Sequence, residues 1–524
     1  MITSIKRLVY NLTPKVIQQH YKSYRDNKLF YRDSLLMIDF LKKINHQNIS
    51  NIPKNTEVFW IVITPWMYTA VPWYALTIAL MLRKKGINVH LVWDDLVFDD
   101  LALDQENSSN MQNKAIEAVL DIVSGFLPIL RISQFEECPL DEKDLNELKR
   151  LAEVGTIHKF KSSMPSDLTR QYSEDWFLSQ QRNLRKIKGL FNKYSFDRIL
   201  LPGGVYGNSG LYFHLCSNKE KVSTYDCGLS RALVCVNGIT GYQADVPTCL
   251  NSDEFKEMSL TQKQTVIELA SRELAMRKDG VDAHETQITP VNGGINIASP
   301  DIVIALNIAW DLPALGKHLF FKNDLDWVVE TVNFILNETD ATVAVRQHPH
   351  ERRHASGRDF SSVITKMFGS SERFRFYTCD DPVNTYQLLS QSSILLPYVS
   401  TIGIEGALFG RTVIMEGDSY YSNFSFVQKA TSKSDYFERI GIELKHPSKL
   451  SEDQIEDAML TYYITQLCTA EATYFTPHPI NFIQWVGEDF EELARNPSLE
   501  VIITALAQRV PVALLNHRKY IATN

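Results

Sequence analysis

The sequence predicts an α/β protein built from two Rossmann-like halves in succession. Three observations carry this. Short β-branched and aromatic runs alternate with helical stretches, the pattern of parallel sheets with crossover helices. The alternation breaks once, over 279–300, where the chain turns polar around Pro290, Gly293 and Gly294. The 524 residues exceed what one ordinary core holds.

The first 50 residues read as a basic helical segment. Over residues 1–32, Lys6, Arg7, Lys15, Lys22, Arg25, Lys28 and Arg32 are offset only by Asp26, with Tyr and Leu between them. That pattern suits peripheral contact with an anionic membrane surface. A solvated amphipathic helix packed on its own domain satisfies it equally.

A first Rossmann-like domain is expected over 51–285. Residues 58–82 carry no charge and are long enough to cross a bilayer, but Pro65 and Pro72 interrupt them. They read better as a strand at 58–64 and a helix at 71–85, stopped by Gly86 and followed by a strand at 88–93. Residues 105–195 look mostly helical, with few strands, and fit either an insertion or a helical flank. Strands at 198–201, 221–225 and 231–237 follow, with helices at 209–216 and 260–277. A second such domain, 298–475, restarts with strands at 302–307, 342–346, 374–377, 393–397 and 412–415. Its helices fall at 324–336, 383–390 and 403–409. Residues 476–524 are expected to be C-terminal helices. A ligand should bind where the two domains face across a cleft, at the carboxyl ends of the strands.

Composition narrows the function. Hydrophobic residues are 44%, charged residues 22% and the net charge is −8, so a general nucleic-acid binder is not expected. Seven scattered cysteines without a C-x-x-C pair imply reduced thiols. The N-terminus has no apolar h-region, so a cytoplasmic protein is expected, with the basic segment able to reach the inner face of the plasma membrane.

Three segments carry chemistry. Residues 398–414 leave a strand through Ser400 and Thr401 and enter a helix at Gly403, where free N–H groups would favour an anion. Glu405, one turn in, could accept both ribose hydroxyls of a nucleotide. The same residues also fit an ordinary helix cap with a first-turn acid. Arg346-Gln347-His348-Pro349-His350-Glu351 leaves another strand, with Arg346 and His348 suited to a phosphate or sugar carboxylate. A metal reading rests on His348, His350 and His354, but their spacing is not H-E-x-x-H, and no metal or cofactor is expected. The loop with Gly203, Gly204 and Tyr206 lacks the Lys-Ser/Thr of a Walker motif, so its glycines suit close backbone approach to an acceptor.

Asn307-Ile308-Ala309-Trp310-Asp311, His348-Pro349-His350-Glu351 and Ser400-Thr401-x-Gly-x-Glu405, in this order, resemble the capsule and lipopolysaccharide glycosyltransferases of the GT-B fold. These are distantly similar to Kdo transferases and polysialyltransferases. The resemblance covers about residues 55–425. It implies transfer of a sugar from a CMP-, UDP- or GDP-linked donor to a glycan or lipid-linked acceptor in surface-polysaccharide synthesis, independent of metal. It also implies that His348, Ser400 and Thr401 bind the donor phosphate and Glu405 the ribose. Asn307 and Asp311 would line the cleft beside the donor, with Arg346, Pro349 and Glu351 completing the donor side. Asp226 stands where relatives carry Glu, and Gln347 precedes the His-Pro pair. An inverting reaction needs a base on the acceptor side. Asp226, at a strand end, is the first candidate, and Asp94 and Asp95 are the next, although that pair also fits a solvated loop or cap. The competing readings are a nucleotide-sugar 2-epimerase, a phospho-polyol transferase and a non-catalytic scaffold of the same fold.

Overall fold

Two separate sheets carry the fold in the computed structural model. It describes residues 15–44, 56–65, 69–96, 105–162, 164–227, 231–279, 299–311, 314–353, 357–477 and 489–523, together with Ile49, Trp485 and Gly487. The chain divides into two compact units. One comprises residues 1–152, 172–240 and 470–515, the other 153–171, 241–469 and 516–524.

The first unit holds β1 (Val58–Ile63), β2 (Asn88–Trp93), β3 (Ile129–Arg131), β4 (Arg198–Pro202), β5 (Val222–Cys227), β6 (Arg231–Cys235) and β13 (Ala470–Ala472). Their order is β13-β6-β5-β4-β1-β2-β3. Strands β3 to β5 run parallel around β1, while β6 and β13 are antiparallel additions. The helix Val71–Lys84 is buried along 71–82, as an apolar run without a polar face requires. It packs beneath β1 and against the helix Pro497–Gln508, and Trp73 stacks on Phe30 at 5.2 Å. This uncharged stretch is therefore a core helix. Among the described residues no helix is long and apolar enough to cross a membrane.

The second unit holds β7 (Ile302–Ala305), β8 (Val343–Arg346), β9 (Phe374–Tyr377), β10 (Ile394–Pro397), β11 (Thr412–Met415) and β12 (Val427–Lys429). All pair in parallel, in the order β12-β11-β10-β7-β8-β9. Every residue of β7, β8, β10 and β11 is buried, the signature of a sheet covered on both faces. Both units share one topology. The chain steps outward from the first strand on one side, then returns to the other side of that strand, which leaves a switch point between β1 and β4 and between β7 and β10.

Several expectations need correcting. Residues 241–279 group with the second unit, and 470–515 return to the first. The segment 105–195 is mostly helical, as expected, and its short strand, β3, extends the sheet beside β2. The helices Gly357–Phe368 and Lys433–Lys445 were not expected from the sequence. Most of the polar break, 280–298, lies outside the described residues, as do His354 and the first fourteen residues.

Candidate ligand pocket

Register builds the site. Ala305 at the end of β7 lies opposite both Arg346 of β8 and Pro397 of β10. The three strands end flush, so the segments that follow them lie side by side at the β7/β10 switch point. They line a solvent-open hollow of about 1060 Å³ together with Arg277, from the helix Leu260–Lys278, and Thr385 and Tyr386, from the helix Thr385–Gln391. All the lining residues belong to the second unit.

The structure brings together His348, Pro349, Arg346, Asn307, Asp311, Ser400, Thr401 and Glu405 from the sequence reading. Their roles differ from one another. His348 keeps some surface open to the pocket but sits deep among protein atoms. Desolvation, with His350, Arg346 and Arg277 nearby, pushes its pKa down to about 3. It is a neutral imidazole at physiological pH. Its Nδ1 accepts the His350 N–H at 3.2 Å, so Nε2 carries the proton and is the ring's donor. Arg346 is fully buried and spans to the backbone, donating to the Thr378 carbonyl and, at 2.9 Å, to that of Val383. It clamps the loop after β9 and gives the pocket positive charge rather than a reaching side chain. Asn307 accepts the Val399 N–H at 3.3 Å, which ties the ends of β7 and β10 together. Asp311 is exposed on the rim.

Glu405 is the largest revision. It is 1% exposed, and its carboxylate accepts from Arg277 Nε at 2.7 Å and from the Tyr386 hydroxyl at 3.0 Å. A buried ion pair thus stands where the sequence suggested an acid open to a ribose. Burial beside this carboxylate pushes the Tyr386 hydroxyl pKa well up, so Tyr386 stays protonated and donates. The anion site expected at the helix start is also modified. The helix Ile402–Leu408 has seven residues, and its first amides are already used. Gly403 donates to the Ser400 carbonyl, Ile404 and Glu405 to that of Thr401, and Ile402 to Ser400 Oγ at 3.4 Å. Gly403 is needed for another reason, since a Cβ there would collide with the Tyr421 ring. The hydroxyls of Ser400 and Thr401 remain on the pocket wall.

Glu351 is not on this wall. It is 5% exposed and faces an adjoining hollow. Burial raises its pKa to about 7, against hydrogen bonds from Gln347 and the Ala309 N–H. Arg277, Tyr386 and Gln347 were not singled out as site residues. Arg277 is distant in sequence from every motif, and only the Arg-Lys ending of its helix hinted at it.

The remaining candidates lie in the first unit, at the carboxyl edge of its sheet. Asp94 is completely buried, and Asn208 Nδ2 donates to its two oxygens at 3.0 and 2.9 Å. Burial pushes its pKa up to about 7. Asp95 accepts from the Ser133 backbone and hydroxyl, so it serves as a cap. Gly203 and Gly204 take φ of +66° and +82°, a left-handed pair that a β-carbon would strain. Gly204 also packs within 3.1 Å of where its Cβ would meet Thr224. Tyr206 precedes the helix Gly207–Leu215. Asp226, at the end of β5, is solvent-reachable yet recessed enough that desolvation raises its pKa. Among the described residues no group of three His, Cys, Asp or Glu side chains is placed to hold a metal.

Two Rossmann-like α/β units, each with a switch point, give the chain a two-domain α/β fold with GT-B-type structural neighbours. No family model and no curated protein sequence matches the chain. Similar solved structures include a β-Kdo 2,7-transferase, KpsC, of Thermosulfurimonas dismutans. It is 15% identical over 62% of this chain and 89% of its own, with a TM-score of 0.34. The UDP-GlcNAc 2-epimerase of Methanocaldococcus jannaschii is 12% identical over 78% and 99%, with a TM-score of 0.28. A glycosyltransferase of Rickettsia africae ESF-5 is 13% identical over 86% and 99%, with a TM-score of 0.27. Likenesses this distant leave the fold class resting on the chain's own two sheets.

Proposed function

We propose that the chain is a glycosyltransferase that takes its donor sugar from a nucleotide sugar and passes it to a glycan or lipid-linked acceptor of a surface polysaccharide. The observation that carries this is the pocket at the β7/β10 switch point, where Arg277, His348, Ser400, Thr401 and Tyr386 converge. A nucleoside phosphate needs cationic charge and hydroxyl or N–H donors, and the carboxyl edge of a parallel sheet is where such ligands bind. A neutral His348 that donates through Nε2 can bond a phosphate oxygen as charge builds on the departing nucleotide. Asp226 is the acceptor-side carboxylate best suited to take the acceptor's proton. Its raised pKa makes it a better base than an ordinary aspartate. A peripheral position on anionic membrane fits the exposed face of the helix Lys15–Lys43, which carries Tyr24, Arg25, Lys28, Tyr31, Leu35, Lys42 and Lys43.

Thermal shift with CMP, CDP, UDP and GDP tests the donor side. A nucleotide at 100 times its Kd should add about 2.7 kcal/mol to stability. His348→Ala should keep the fold and lower transfer by about 10²-fold, the size of a lost oxyanion donor. Isomerised sugar nucleotide formed without acceptor would favour the epimerase instead. Failure to bind any nucleotide would leave a scaffold.

A further inference from the structure

Lys161 follows the helix Glu142–Phe160 in a left-handed conformation, φ +55°, that non-glycine residues rarely adopt. The turn places its side chain on the wall of a second, smaller hollow that is open to solvent. This hollow shares Leu306, Asn307 and Gln347 with the main pocket, so the two adjoin across those residues. Its surroundings leave the ammonium poorly compensated. The Trp310 ring centroid lies 5.6 Å away. Among the described residues no carboxylate lies within ion-pair distance of the ammonium. Asp311 acts on it only through longer-range attraction, and desolvation outweighs that attraction and brings its pKa down to about 8.

Two acids border the same hollow, and both already accept hydrogen bonds. Asp324 accepts from His318 Nε2 at 3.1 Å, and Glu351 is held by Gln347 and by the Ala309 N–H. The hollow thus presents a partly desolvated cation beside the side chains of Asn307 and Gln347. That set suits an oxyanion, which would restore the charge balance that burial removed.

We propose that Lys161 binds an anionic group of the substrate, a sugar carboxylate or a phosphate, in the hollow beside the main pocket. The proposal goes beyond the nucleotide-sugar reading by naming a second charged feature of the substrate, and it makes Lys161 a specificity-determining residue.

Limited acetylation of the full-length protein near pH 8, read at Lys161 by mass spectrometry, tests it. Inorganic phosphate and glucuronate serve as separate probes. Protection follows one plus the ratio of ligand to Kd, so a probe at ten times its Kd should slow labelling about 10-fold. Protection by glucuronate alone assigns a sugar carboxylate, protection by phosphate alone assigns a phosphate, and protection by both supports a general oxyanion hollow. Protection by neither overturns the proposal. K161R should keep the thermal shift given by the protecting anion and K161M should lose it. Equal shifts in both variants would reduce Lys161 to a long-range partner of Asp311. Repeating the labelling in H348A separates the two readings, because protection there should persist even if the main pocket proves not to bind nucleotides.

Discussion

Glu405 illustrates how one residue's surroundings decide its task. Its position one turn into a helix suggested a ligand group, but its carboxylate sits in a buried pair with Arg277 and under the Tyr386 hydroxyl. Removing one partner of a buried pair leaves the other charge without its counterion and costs about 3–5 kcal/mol. Glu405→Gln should therefore lower the thermal midpoint clearly before any ligand is added. An Arg277→Met/Glu405→Leu double variant should recover most of the loss, because apolar replacement of a whole buried pair is often near neutral. A single variant as stable as wild type, with weaker nucleotide affinity, would return Glu405 to the ribose role. His348 followed a different course. Its position after a strand end was legible in the sequence, but its neutral state was not, since that depends on burial and on Arg346 and Arg277.

At the level of elements, the loop after β7 is anchored by one histidine. His318 Nδ1 meets Glu416 at 2.5 Å at the end of β11, while its Nε2 meets Asp324 at the start of the helix Asp324–Glu338. Its ring stacks on Tyr398 at 3.9 Å, just past β10. Although burial opposes it, the two carboxylates raise its pKa to about 9. A histidine with a raised folded pKa stabilises fully below its unfolded value, near 6.5, and loses that contribution as pH rises through 9. Stability should therefore decline between pH 6.5 and 9, and His318→Gln should flatten the decline. Matched slopes in urea titrations of the two proteins would refute this. Close by, Gly406 packs onto Leu395 and Gly403 onto Tyr421, where a side chain would collide.

For the whole molecule, the N-terminal helix links composition to location. One face, with Phe30, Met37, Phe40 and Leu41, is buried in the first unit's core. The opposite face leaves Tyr24 68% and Tyr31 57% exposed among basic residues. A chain of net charge −8 should be repelled by anionic vesicles unless this face overrides it. The intact protein should therefore co-sediment with phosphatidylserine-containing vesicles at low salt, release at high salt and ignore neutral vesicles. Replacing Arg25, Lys28, Lys42 and Lys43 with Gln should abolish the effect. Binding that survives these substitutions would place the contact elsewhere or rule out an electrostatic one.

The sequence by itself determined the two α/β halves and most strands, because short continuous apolar runs and helix stop signals are local properties. It also located Asn307, His348 and Ser400 just past strand ends, at the carboxyl edge of the second sheet. The tertiary structure alone decided what is set by contacts distant in sequence. The pairing of β13 with β6 joins residues more than 200 positions apart, and the Arg277–Glu405 pair spans 128. Charge states and engaged carboxylates belong to that second group. Desolvation and Coulomb terms depend on which atoms surround a group, and no local pattern encodes them.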